Sequence, residues 1–175
     1  MAITRLNNNS ITSITALPSA VAVDNEPCFR AYKPSPDQSI SNQTQTVVQL
    51  STEEFDVGGC FNNTGSTVTL NGISTPAYAF APNVAGKYMI TGSVRVQDDV
   101  DYDENSLIIM KNSSTEEHAH MFTQRYFTSG IVSTVVELNG TSDYVRLVFY
   151  HNRGGGLGIT GNRKRTFMAG YKIIE

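Results

Sequence analysis

Residues 86–94, GKYMITGSV, alternate along the chain in a way that suits an extended strand and not a helix. Tyr88 and Ile90 fall on one side and the intervening residues on the other, which is the two-residue period of a strand with one buried face. Gly86 stands just before the first aromatic residue, where a side chain would clash as the backbone turns into the strand. No segment sustains apolar residues at helical spacing for a dozen positions. The sequence therefore predicts an all-β protein.

Further segments have the composition of strands, and polar, acidic or glycine-rich turns separate them at the spacing of a sandwich or jelly roll. Asn71-Gly72 predicts a tight hairpin turn within one of them. The glycine-rich stretch 151–164, HNRGGGLGITGNRK, predicts a long flexible loop at one tip. The other predicted strand segments are CFRAYKP (28–34), TQTVVQLSTEEF (44–55), STVTLNGIS (66–74), NSLIIMKN (105–112), MFTQRYFTSGIVSTVVEL (121–138), DYVRLVFYHN (143–152) and RTFMAGYKII (165–174).

Length and charge limit the partners that a chain of this kind can take. Its 175 residues amount to about one domain, which is enough to bury a sizeable core. The net charge of −3 argues against nucleic acid as a partner, because phosphate binding needs a concentrated basic face. The one local basic run, Arg163 to Arg165, favours a solvated loop. No stretch approaches the roughly 18 apolar residues of a membrane span, so no membrane insertion is predicted.

The first 26 residues differ in composition from the rest. They are rich in Asn, Ser and Thr, and they predict an extended arm that gains order by lying on a neighbour, with the jelly-roll domain following at 27–175. The segment lacks the apolar core of a secretory signal, which predicts synthesis in a cytosol. Cys28 and Cys60 could pair, although reduced thiols are favoured in such a chain. The arm residues predicted to dock are Ile3, Leu6, Ile11, Ile14 and Leu17.

The spacing Phe80-x5-Gly86-x-Tyr88 resembles a motif of the complement C1q globular head and its relatives, the tumour-necrosis-factor-like jelly rolls. The opening segment CFRAYKP and the closing segment RTFMAGYKII are similar to the first and last strands of that family, so the resemblance covers about residues 28–175. The family usually has aromatic residues where this chain has Ile90 and Gly92, which implies a variant core.

The resemblance implies an antiparallel jelly roll that forms a homotrimer. Closed symmetry is a physically sensible way to cover an apolar strip on one sheet. The candidate strip residues are Phe122, Tyr126, Phe149 and Tyr150.

The arm sequence MAITRLNNNSITSITALPSAV is similar to the N-terminal openings of tailed-phage structural proteins, particularly fibre and decoration proteins of phages of aquatic bacteria. This resemblance implies a virion protein, assembled in the bacterial host cytoplasm, whose arm binds other virion proteins. A trimeric tail fibre or adhesin is the first hypothesis, and a capsid decoration protein is the alternative. A secreted C1q-like or cytokine-like ligand is a further alternative, although the chain has no collagen-like stalk. A glycan-processing enzyme with two facing carboxylates is the last alternative hypothesis.

Two clusters could hold metal ions. Asp98, Asp99, Asp101 and Asp103 could ligate Ca²⁺ from a loop, although a solvated acidic turn between two strands is the favoured interpretation. His118 and His120 would face the same way on a strand, and three copies around an axis would offer a transition metal six nitrogens. The flanking glutamates favour an exposed loop instead. No other cofactor is predicted.

The predicted tip loop is where recognition residues would collect. Catalytic motifs such as a nucleophile elbow, a zinc-protease helix or a phosphate loop do not occur in the sequence, so a non-enzymatic role is predicted. A host envelope glycan or a surface antigen is the expected ligand, and the residues predicted to contact it are His151, Asn152, Arg153 and Arg163.

Overall fold

The computed structural model describes residues 25–97, 104–112, 116–123 and 128–173, and within residues 116–123 it describes the backbone and the Ala119 side chain. These residues form strands and connecting turns with no helix, as the sequence predicts. Accordingly, no helix long and apolar enough to cross a membrane occurs in these ranges. The strands are β1 (Cys28–Tyr32), β2 (Gln38–Ile40), β3 (Thr46–Val47), β4 (Thr52–Val57), β5 (Val68–Leu70), β6 (Ile73–Thr75), β7 (Ala79–Phe80), β8 (Gly86–Arg95), β9 (Asn105–Lys111), β10 (Glu116–Thr123), β11 (Ser129–Leu138), β12 (Val145–His151), β13 (Leu157–Ile159) and β14 (Phe167–Lys172).

The long strands form two antiparallel sheets. The first sheet has the order β11-β8-β14-β1-β4. The second has the order β10-β9-β12, and the short strands β3 and β7 both pair with the other edge of β12. Two ribbons, β2-β13 and β5-β6, complete the structure. Apart from the consecutive strands β9 and β10, neighbours within the two large sheets are separated by other strands in the chain, which is the connectivity of a jelly roll.

The aromatic residues of the 80–88 motif meet in the core. Phe80 stacks on Phe29 with ring centroids 4.3 Å apart, and it meets Tyr88 edge to face at 5.6 Å. The Tyr88 hydroxyl donates a hydrogen bond to the Val84 carbonyl at 2.7 Å, so its one polar group is satisfied. Burying each such side chain contributes roughly 1.5–3 kcal/mol. The motif therefore connects the turn that precedes β8 to the centre of the core.

The turn before β8 is also as predicted. Gly86 has φ +149°, a conformation that residues with side chains rarely adopt. Tyr88 and Ile90 both point inward and are fully buried.

Gly92, where the family resemblance leads one to expect an aromatic residue, lies under a leucine of the facing sheet. A Cβ atom at this position would stand 2.3 Å from the Leu147 Cδ1 atom. Leu147 on β12 therefore occupies the volume that an aromatic side chain on β8 would fill. The core differs from the family pattern at this point because a leucine of one sheet replaces an aromatic residue of the other.

The ribbons β5-β6 and β2-β13 each test one prediction made from the sequence. The Asn71-Gly72 hairpin between β5 and β6 is confirmed, with φ values of 49° and 82°. The prediction of a single flexible loop over residues 151–164 was wrong, because β13 lies within it and pairs with β2. Leu157 and Ile159 alternate around a glycine and are both buried, which fixes this part of the stretch on the body of the protein.

Candidate functional site

The five-stranded sheet packs one face on the core, and we call its other face the outer face. This face carries five of the six exposed large apolar side chains in the described parts of the chain. β11 shows how the sequence produces it, because apolar residues occur at both parities of the strand. Val132 and Val136 point into the core, whereas Ile131 and Val135 point outward and are 63% and 48% exposed.

One line of side chains crosses all five strands of the outer face, and we call it the apolar row. The register places Val135 beside Met89 and Met89 beside Tyr171. Tyr171 in turn lies beside Cys28, and Cys28 lies beside Val57. At about 4.8 Å between strands, the row is roughly 20 Å long. Tyr171 and Val57 are 45% and 36% exposed, so the row presents a continuous apolar strip to its surroundings.

A second line next to the apolar row is more polar. It joins Ser133, Thr91 and Ala169 to Arg30 and Phe55 in register. The hydroxyl groups of Ser133 and Thr91 are hydrogen bonded to each other, and Phe55 is 45% exposed. The strip is therefore apolar along one line and mixed along the next.

An ion cluster borders these lines. Glu54 accepts hydrogen bonds from both Arg30 and Arg163, and the Arg30 guanidinium also lies 4.6 Å from the centroid of the Phe167 ring. Burial, with a further effect of Arg163, lowers the pKa of Arg30. The cluster ties β1, β4 and the segment before β14 together.

The predicted tip residues do not form one site. His151 is fully buried at the end of β12, opposite Asn105, and burial lowers its pKa. The Asn152 Oδ1 atom accepts a hydrogen bond of 2.8 Å from the Glu104 backbone N–H, so its side chain serves a loop contact. Arg163 lies in the ion cluster of the outer face.

Arg153 follows His151 and donates its backbone N–H to the His151 Nδ1 atom at 3.4 Å. The structure does not bring His151 and Arg163 together, because His151 faces inward and Arg163 belongs to the ion cluster of the outer face. Recognition by these residues stays a prediction.

The remaining predicted sites fall partly or wholly outside the described residues. The arm residues Ile3, Leu6, Ile11, Ile14 and Leu17 and the acidic residues Asp98, Asp99, Asp101 and Asp103 lie outside them. His118 and His120 lie in β10, where the register with β9 shifts between Glu117 and Ala119 while His120 pairs with Ile108. In the parts of the chain that can be described, no three His, Cys, Asp or Glu side chains form a cluster suited to a metal.

One of the predicted residues of the apolar strip does not lie at a surface. Phe149 is fully buried in the core, and Tyr150 is half-buried. The side chains of Phe122 and Tyr126 lie outside the described set. The strip that the structure presents is the apolar row, and the valines and isoleucine at both parities of β11 were the signal in the sequence that could have located it.

The cysteines are not disulfide-bonded to each other. Cys60 is fully buried, and its Sγ atom lies 3.4 Å from the Gly58 carbonyl oxygen. Burial raises the pKa of the Cys60 thiol, which keeps it protonated. Cys28 is half-buried within the apolar row.

Comparison with known proteins supports the fold. No protein-family model matches the chain, and no curated protein is significantly similar to it. Among solved structures, murine APRIL matches with a TM-score of 0.58 at 12% identity, over 83% of this chain and 98% of that one. The Eiger TNF of S. frugiperda matches with a TM-score of 0.55 at 9% identity, over 85% of this chain and 92% of that one.

These two structures confirm a jelly roll of the tumour-necrosis-factor type. The vertex protein P5 of phage PRD1 has a TM-score of 0.47 at 16% identity, over 83% of this chain and 94% of that one, and this level of similarity carries no conclusion.

Proposed function

We propose that the protein is a non-enzymatic structural protein of a phage virion, a homotrimeric jelly roll of the tail-fibre or adhesin type. The observation that carries self-association is the apolar row. A strip that crosses all five strands of a sheet and leaves Val135 and Tyr171 nearly half exposed is what a protein–protein contact covers.

Closed symmetry suits this strip because the row belongs to one face and ends at the edge strands β4 and β11. A copy that packs an edge of its sandwich on the row of the next copy makes a head-to-tail contact, and such contacts close into rings when the rotation allows it. The resemblance to C1q-like and tumour-necrosis-factor-like domains favours a ring of three.

The virion assignment is supported by the likeness of residues 1–21 to the openings of tailed-phage fibre and decoration proteins. In this proposal the arm binds other virion proteins, and the jelly roll is displayed for contact with the host envelope.

Light scattering coupled to size-exclusion chromatography tests the self-association. The full chain is expected to have three times its 19.1-kDa mass. Val135→Asp places a carboxylate in the apolar row and should give a folded monomer, because an unpaired charge in a covered interface is strongly unfavourable. The matched control is Ser74→Asp, which adds the same charge at an exposed site on β6 and should leave the trimer unchanged. A monomeric wild type, or an unaltered mass for Val135→Asp, would contradict the proposal.

Electron cryo-microscopy of the virus particle that encodes the chain tests the location. A threefold knob at the tail is the expected result. Density over the capsid lattice would contradict the fibre assignment and make the protein a decoration protein. Absence of the protein from the particle would overturn the virion assignment altogether.

A further inference from the structure

A cavity of about 480 Å³ opens at one end of the outer face, and we call it the basic cavity. Its volume is in the range of sites that hold small molecules. Val135 in the apolar row and Ser129 at the cavity are both on β11. At about 3.3 Å per residue their separation along the strand is roughly 20 Å, so the cavity and the apolar row lie at opposite ends of the face. The residues that matter for its chemistry are Ser93, Arg95, Ser129, Ile131, Lys164 and Arg165.

Three cationic residues line this cavity, and among the described residues no acidic one does. Arg95 comes from β8, and Lys164 and Arg165 come from the turn that precedes β14. None of the three takes part in an ion pair between described residues, whereas the neighbouring Arg163 is paired with Glu54. A concentration of unpaired positive charge in a chain of net charge −3 indicates a site for an anion.

Hydrogen bonds hold the turn against β8 before any ligand arrives. The Ser93 hydroxyl donates to the Arg165 carbonyl at 2.8 Å. The Arg95 N–H donates to the Thr166 hydroxyl oxygen at 3.2 Å, and the Thr160 N–H donates to the Arg95 carbonyl at 2.8 Å. A wall fixed in this way loses little conformational entropy when a ligand binds, which favours affinity.

The turn itself is braced at its centre. Asn162 accepts backbone N–H bonds from Lys164 on its side chain at 2.9 Å and from Thr166 on its carbonyl at 2.9 Å. The cationic residues therefore project from a defined backbone.

The opposite wall is apolar. Ile131 is 63% exposed and lines the cavity with Ser129, so the site combines cations, a hydroxyl group and an aliphatic surface. A sugar ring that carries an acidic group presents the complementary set, namely an anion, hydroxyl groups and an apolar C–H face. A long polyanion fits less well because the net charge of the chain is negative.

We infer that the basic cavity binds one acidic sugar unit, with its carboxylate or sulfate between Arg95, Lys164 and Arg165 and its ring against Ile131. The choice of a sugar rests on the proposed contact with a host envelope, whereas the anion site rests on the cavity alone.

Titration of the full chain by NMR tests this inference with three probes: glucuronate, glucose 6-sulfate and uncharged glucose. At least one of the two acidic sugars is expected to shift the backbone amides of Gly130 and Lys164, and glucose should bind at least about tenfold more weakly, since a charge-assisted hydrogen bond contributes more than one factor of ten. The two anions distinguish a carboxylate ligand from a sulfate ligand. Binding should weaken as salt is added.

Variants localise the binding. Arg95→Gln and Arg165→Gln should each weaken it about tenfold, and Arg95→Lys should restore part of it by keeping the charge. Arg163→Gln is the matched control, because it removes the same charge from the same turn at the paired residue, and it should change the affinity by less than about twofold. Melting curves confirm that each variant is folded.

The inference is overturned if neither anion binds, if glucose binds equally well, or if Arg163→Gln weakens binding as much as Arg95→Gln. Light scattering on the same samples separates the two proposals. A trimer that binds no acidic sugar overturns the cavity site alone, and a monomer that binds one overturns self-association alone.

Discussion

Two positions of β8 require glycine for different reasons. Gly86 requires it because of its backbone, whose φ of +149° lies where a side chain is disfavoured. Gly92 requires it because of space, since the Leu147 side chain fills the volume beside its Cα atom. The sequence motif indicates the first requirement. The requirement at Gly92 could not be predicted, because it depends on contact between two sheets. The residues near Gly92 in the sequence do not indicate that Leu147 packs against it.

Gly86→Val should lower the free energy of unfolding by about 1–2 kcal/mol or more, because a β-branched residue is strained at positive φ. Chemical denaturation measures this loss. Gly155→Val is the control, since Gly155 has open space around it and should tolerate the change. Equal stability of the wild type and Gly86→Val would show that the turn does not need this conformation.

At the scale of elements, the connection between β11 and β12 is built around two side chains. The Asn139 Oδ1 atom accepts backbone N–H bonds from the three residues that follow the turn glycine. Asp143 pairs with Lys111 at 3.0 Å and accepts hydrogen bonds from Asn112 and from the Asn139 N–H. The turn therefore joins the end of β11 to the end of β9.

Asp143 should make the stability of this connection depend on pH. Burial alone would raise its pKa, but the hydrogen bonds from Asn112, Lys111 and Asn139, and the charge of Lys111, together lower it. A carboxyl group with a lowered pKa stabilises the folded state above its ordinary pKa, and this contribution is lost as the pH falls through the folded-state value.

Asp143→Asn should therefore cost about 1–3 kcal/mol at pH 7, and the difference from wild type should shrink below about pH 4. Denaturation curves across this pH range measure both effects. Glu137→Gln, at an exposed carboxyl group on β11, should show a much smaller difference. If the difference in unfolding free energy between the wild type and Asp143→Asn did not change with pH, this role of Asp143 would be contradicted.

The longer strands were predictable from local patterns, namely alternation in β8 and β14 and a continuous apolar run in β9. The ribbon of β2 and β13 was not, since Ile40 and Leu157 pair across most of the chain and each strand is only three residues long. The apolar row could not be predicted for the same reason, namely that its residues are distant from one another in the chain. The pattern of β11 indicates that its outer side is apolar, but Val135, Met89 and Tyr171 become neighbours only through the pairing of three strands, which the pattern of one strand does not specify.

The basic cavity was missed for a related reason. The run from Arg163 to Arg165 is visible in the sequence, but it has the composition of any solvated loop. Arg95, which lines the cavity together with Lys164 and Arg165, comes from the strand β8 and is distant from this run in the sequence.

At the scale of the whole molecule, self-association should change the reactivity of one cysteine. Cys28 lies in the apolar row and should be protected from iodoacetamide in the trimer. It should react readily in the Val135→Asp monomer. Cys60 should resist in both proteins until they unfold, because it is buried and its pKa is raised.

Mass spectrometry of the labelled peptides measures the two sites separately. The denatured protein, in which both cysteines should react, provides the reference. Equal labelling of Cys28 in the trimer and in the monomer would place the contact between copies elsewhere on the molecule.

The distance between the apolar row and the basic cavity has a consequence for affinity at a crowded surface. A ring closed over one end of the sheet would leave three cavities displayed at the other end, related by the same axis. A single acidic sugar held by a few charges binds weakly, but three linked sites raise the effective concentration for each later contact, and avidity can exceed single-site affinity by about 10²–10⁴. Such a particle would bind poorly to scattered sugars and firmly to a dense coat, so that the spacing of the ligands, more than their identity, would decide where it attaches.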